Sequence, residues 1–128
     1  MIATVKSLSA YKYRQTTIQN AISCVGVGVH RGQKATLTLK PAPANTGIVF
    51  CRTDVKDKNN LIKATYDNVV DTKLCSCIGN ADGVTVSTIE HLMGAISGYN
   101  ITNLIVEIDG PEVPIMDGSA QDFLNLFD

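Results

Sequence analysis

Glu90 and His91 stand next to each other, and a histidine with a neighbouring glutamate is a common way to hold zinc and set a base on its water. A catalytic zinc typically takes three protein ligands and keeps a fourth position for water. This chain offers His91 and, as a candidate second donor, His30, its only other histidine. The remaining carboxylates and cysteines have no convincing ligand spacing, so the set is short by one or two. Each of these residues also has a plainer reading. His91 can be a solvated helix residue, Glu90 can be half of a helix cap, and an isolated Glu-His pair is a weak motif. Cys75 and Cys77 are one residue apart, whereas zinc-binding cysteines are usually spaced by two to four and come in two pairs. Alternate residues of a strand share a face, which makes two buried structural thiols the simpler account.

The element that must position Glu90 and His91 is the clearest in the chain. Ser87 and Glu90 have the spacing of a capping box, in which each side chain satisfies the other's free backbone amide. Ile89, Leu92, Met93 and Ile96 follow at i, i+3, i+4 and i+7, the stripe of a helix laid on a sheet, and Gly98 is a natural stop. At about 100° per residue, His91 falls opposite that stripe, together with Gly94, Ala95 and Gly98. Such a face admits close approach by another domain, a cofactor or a substrate. Glu90 lies between the two faces and can reach the same space.

Before this helix the chain reads as β-structure. Residues 17–29 are rich in β-branched and small side chains and end in Val-Gly-Val-Gly-Val, which puts the three valines on one face and leaves the other bare. A bare strand face lets another backbone or a ligand come close. A turn at 30–33 leads into the clean apolar and polar alternation of residues 34–40, a hairpin pattern. Residues 41–47 are punctuation, 48–52 a short strand, 53–60 a polar loop, and 61–66 and 72–78 two further strands before a turn at 79–83. About five strands thus precede the helix. A strand at 103–108 and a two-proline loop at 109–118 follow it. A second helix is expected from Ser119, with Asp122 as capping partner and Phe123, Leu124 and Phe127 on its buried side. It has no stop signal before Asp128, so the chain is expected to end at a cut, with the missing ligands beyond it.

The 128 residues suit one domain with a real core. A formal net charge of -1 offers no long-range attraction to nucleic acid or anionic lipid. No apolar run is long enough to span a bilayer, the start Met-Ile-Ala-Thr-Val-Lys lacks the long apolar core that a secretory signal needs, and four cysteines are few for a disulfide scaffold. A cytoplasmic protein with reduced thiols is the expectation.

Five segments, taken together, carry a family resemblance: Gly-Val-Gly-Val-His-Arg-Gly at 26–32, Leu-Thr-Leu-Lys-Pro-Ala-Pro-Ala-Asn-Thr-Gly at 37–47, Arg-Thr-Asp at 52–54, Thr-Ile-Glu-His-Leu at 88–92 and Glu-Val-Pro-Ile-Met-Asp-Gly-Ser-Ala at 112–120. In this order they resemble the zinc-dependent UDP-3-O-acyl-N-acetylglucosamine deacetylases of lipid A biosynthesis, from about Gln15 onward. Residues 1–14 carry no assigned role. The resemblance implies an α+β fold, a two-layer sandwich of a mostly antiparallel sheet of about five strands on two helices, of the ribosomal protein S5 domain 2 type. Residues 1–128 would be the first of two such domains, the second being absent from this chain.

The resemblance further implies that Glu90 is the general base and His91 a zinc ligand, in hydrolysis of the acetamide on the glucosamine nitrogen in a Gram-negative bacterium. His30, Leu74 and Cys75 would lie near substrate, although a structural hydrogen bond is an equal role for His30. Asp117 would brace its loop. One zinc would serve the complete enzyme, and this chain alone would bind it weakly or not at all and be inactive without the C-terminal domain. Two rivals come from other classes. One is a standalone, non-catalytic interaction module using the face around His91 and Gly94; the other is a small metal-binding protein using Cys75, Cys77 and His91.

Overall fold

A computed structural model describes residues 2–5, 15–70 and 76–114. Its strands are β1 (Ile2–Val5), β2 (Gln15–Ile18), β3 (Ile22–Val27), β4 (Lys34–Pro41), β5 (Ile48–Arg52), β6 (Leu61–Lys63), β7 (Val69–Val70), β8 (Cys77–Gly79), β9 (Thr85–Ser87) and β10 (Leu104–Ile108), with one helix, α1 (Glu90–Gly98), between the last two. Nine described strands therefore precede α1, not about five. The difference has local causes. The stretch 17–29 breaks at a bend around Gln19 into β2 and β3, and the strand expected at 61–66 stops at Lys63, where Asn68 donates from Nδ2 to the Lys63 carbonyl at 2.7 Å. The second helix expected from Ser119 lies outside the described residues.

Five strands form the main sheet, in the order β3-β4-β10-β5-β6. All of its pairings are antiparallel except β10 with β5. The expected hairpin is β3 and β4, paired from Ile22↔Leu39 to Val27↔Lys34. Alternation in β4 sends Ala35, Leu37 and Leu39 inward, and β10 does the same with Leu104, Val106 and Ile108. Register then lines up Leu39, Val106, Phe50 and Ile62 across four strands, all fully buried. Burying one such side chain stabilises the fold by about 1.5–3 kcal/mol. The helix joins this core through Ile89, Leu92 and Ile96. Two smaller sheets flank it: β1 with β2, and β7-β8-β9.

Ala95 does not share the open face of α1. It is fully buried, because it sits only about 60° around the helix from Leu92. Nor is Gly98 the left-handed stop. That residue is Asn100, at φ 57°, with Asn100 N–H bonded to the Ser97 carbonyl and Ile101 N–H to the Ile96 carbonyl. This is the Schellman arrangement, which satisfies the last carbonyls of a helix.

Candidate functional site

The site is built on the turn between β9 and α1. The expected capping box does not form: Ser87 ends β9 and its hydroxyl donates to the Pro111 carbonyl at 3.2 Å, while the residue before the helix, Ile89, makes no side-chain cap. The turn is made by Thr88 at φ +62°, a genuine outlier for a β-branched residue. Such strain costs about 1–3 kcal/mol and persists only where the surroundings over-determine it. Here they do. Thr88 N–H donates to the Ser76 carbonyl at 2.8 Å, and its hydroxyl donates to Glu112 Oε2 at 2.8 Å.

Directly after this elbow, Glu90 is exposed at the first position of α1. Its Oε2 accepts the Ser76 N–H at 3.1 Å, so the backbone of Ser76 holds both the elbow and the carboxylate. His91 is half-buried on the same turn, and a side chain at Gly94 would meet open space. Together these leave the His91 side of the helix open. An apolar hollow of about 200 Å³ flanks the helix start, lined by Ala64, Thr65, Val69, Ile78, Ile89 and Met93.

His30 is exposed on the turn joining β3 to β4, a turn closed by Gly28 N–H to the Gln33 carbonyl and Gly32 N–H to the Gly28 carbonyl, both 2.9 Å. It meets the helix start through one intermediary. The Glu112 carboxylate accepts His30 N–H on Oε2 and Arg31 N–H on Oε1, each at 3.0 Å, and Thr88 on the other side. Glu112 is 3% exposed. Burial pushes its carboxyl up, but the amide of His30, the Thr88 hydroxyl, the amide of Arg31 and the charge of His30 outweigh that and hold it below the usual carboxylate range.

This residue is the one that sequence reasoning missed. A signal was present: the bare glycine face of β3 implied a close neighbour, and the neighbour is Glu112. A Cβ at Gly28 would lie 2.1 Å from Glu112 Oε1 and 2.7 Å from its Cδ, so the turn requires glycine there. The valines of the opposite face, Val25, Val27 and Val29, are exposed. Arg52 and Asp54 hold the neighbouring edge. The Arg52 guanidinium grips Asp54 through two bonds of 3.0 and 2.7 Å, which lowers the Asp54 carboxyl, and reaches the Thr85 carbonyl of β9 at 3.1 Å.

Leu74 and Cys75 lie outside the described residues, as does Asp117. Cys77 is half-buried on β8 and not fully interior. Among the described residues no three histidine, cysteine, aspartate or glutamate side chains are grouped to hold a metal ion. His91 beside Glu90 nonetheless fits zinc by donor type, as one imidazole ligand with an adjacent base.

Residues 15–128 match the family described as UDP-3-O-acyl N-acetylglycosamine deacetylase. The chain belongs to that family. Among curated members, it is 53% identical over 113 residues to the UDP-3-O-acyl-N-acetylglucosamine deacetylase of Pseudoalteromonas atlantica. It is 50% identical over the same length to those of Actinobacillus pleuropneumoniae and Pasteurella multocida. Each match covers 88% of this chain and 37% of the relative. The chain thus spans little more than a third of the length of these deacetylases. The family match begins at residue 15, so β2, β3, the Glu112 knot and α1 all fall within it, and β1 precedes it. No helix among the described residues is long and apolar enough to cross a membrane.

Proposed function

We propose that the full-length protein carrying this chain is a zinc-dependent amidohydrolase acting on a UDP-3-O-acyl-N-acetylglucosamine. It removes the acetyl group from the glucosamine nitrogen, releasing acetate and a free amine, the committed step towards lipid A in the cytoplasm of a Gram-negative bacterium. The observation that carries this reading is the pairing of Glu90 with His91 at the open start of α1, with the Glu90 carboxylate oriented by the Ser76 amide.

Glu90 is the general base. Its oriented carboxylate takes a proton from the water that attacks the acetyl carbonyl, and can return it to the departing amine. His91 supplies one nitrogen ligand. Zinc, when bound, contributes Lewis acidity that favours deprotonation of water and stabilises developing negative charge. The other ligands come from a second domain of the same α+β sandwich type, of the ribosomal protein S5 domain 2 class, packed on the face of His91 and Gly94, and each domain has two helices. His30, Leu74 and Cys75 border the substrate.

The test compares the full-length protein with residues 1–128 for zinc content and for acetate release from the acylated UDP-sugar. The full-length protein is expected to bind zinc and turn over, and the short chain to do neither. Glu90→Gln should keep the metal and lose about 10²–10⁴-fold in kcat. Turnover by the short chain, or an unimpaired Glu90→Gln, would sink the proposal.

A further inference from the structure

Among the described residues, Glu112 is the buried charged side chain, and the proposed chemistry leaves it unused. Burying a carboxylate is costly unless it is well bonded, and each bond it makes reaches the frame of the site. Two successive amides of the His30 turn point at it from one side, and the Thr88 hydroxyl from the other. Its own backbone is pinned to the same elbow, with Ser87 N–H bonded to the Pro111 carbonyl at 2.8 Å and Val113 N–H to the Ser87 carbonyl at 3.0 Å. Gly28 gives up its side chain to make room.

Thr88 is two residues before Glu90 and has a left-handed backbone its side chain disfavours. If Thr88 relaxed to negative φ, the first turn of α1 would swing and the Glu90 carboxylate would leave the Ser76 amide. We propose that Glu112 is a positioning residue for the base: its carboxylate locks the Thr88 elbow to the His30 turn and thereby aims Glu90 at the reacting water. This rests on the deacetylase reading above. A purely structural role predicts less folded protein with unchanged turnover per folded molecule, whereas a misaimed base lowers turnover itself, since a displacement of about 1 Å at a reacting group can cost about 100-fold.

The experiment uses the full-length enzyme, with rates normalised to bound zinc and taken well below each variant's unfolding temperature. Glu112→Gln is expected to lower kcat by about 10- to 100-fold with KM within about threefold. Thr88→Val should do the same, Thr88→Ser, which keeps the hydroxyl, should stay near wild type, and the double variant Glu112→Gln/Thr88→Val should fall no further than the worse single one. A folded, zinc-loaded Glu112→Gln with wild-type kcat overturns the positioning role, as does a raised KM at constant kcat. Should Glu112→Gln fail to fold, Thr88→Val decides: unchanged kcat overturns the role, and loss restored by Thr88→Ser supports it. Wild-type protein that releases no acetate overturns the deacetylase reading and this role with it; an active wild type beside an unaffected Glu112→Gln overturns this role alone.

Discussion

The two ends of α1 solve the same problem by different means. Each is marked by a residue with positive φ: Thr88 at 62° just before the helix and Asn100 at 57° just after it. Asparagine visits the left-handed region readily, and the amides of Asn100 and Ile101 bond the carbonyls of Ser97 and Ile96, a few residues back, while the Asn100 carbonyl accepts the Thr16 hydroxyl. Threonine does not, and what fixes Thr88 comes from Ser76 and Glu112, 12 and 24 positions away. At one end the last helix carbonyls are capped by the local chain, and no candidate chemistry stands there. The other is held open by tertiary contacts, and the proposed base and metal ligand stand there. Strain at a functional site has to be held from elsewhere, and the contrast between the two ends shows from where.

The sharpest way to break that contrast is at Gly28. A methyl placed there must displace the buried Glu112 carboxylate, and Gly28→Ala should cost about 3 kcal/mol, the upper end of overpacking penalties, read as a fall in the urea midpoint of the full-length protein. Thr88→Val should cost about 1.5–3 kcal/mol by removing a hydrogen bond to a charged group; a loss below half a kcal/mol would mean that the elbow is held by Ser76 alone. At the other end, Asn100→Ala should cost only about 0.5–1 kcal/mol, while Asn100→Gly should be neutral within a few tenths.

A pH titration separates the ends without touching the backbone. Because the folded carboxyl of Glu112 is held below its usual range, its contribution to stability is fully present above the unfolded value and fades as pH falls through the folded one. Wild type should therefore lose more stability than Glu112→Gln on going from neutral pH into the acid range, while Asn100→Ala should parallel wild type. Equal acid sensitivity in wild type and Glu112→Gln would remove the carboxylate from the account.

Much of the frame was legible in the sequence. The alternation of residues 34–40 became β4, residues 48–52 became β5 to the residue, and the stripe of Ile89, Leu92 and Ile96 became the buried side of α1. These patterns are local and periodic, and burial of one face is enough to impose them. Glu90 and His91 were legible as a candidate pair, and the family match covers the segments that suggested it. The cap at Ser87 was misread because local spacing cannot reveal that its hydroxyl turns to Pro111, which tertiary pairing brings beside β9. Ala95 was misplaced because a sheet covers more of a helix than its most apolar stripe.

By itself, then, the sequence determined the β3–β4 hairpin, β5 and β10 of the main sheet, which face of the helix is apolar, which family the chain joins and which two residues could do chemistry. Only the tertiary structure decided that Thr88 is strained, that Gly28 is small to admit Glu112, and that one buried carboxylate ties the His30 turn to the helix start. Periodicity encodes a residue's own exposure to water, whereas these relations depend on groups far apart in the chain whose hydrogen bonds exist only once the sheet has brought them together.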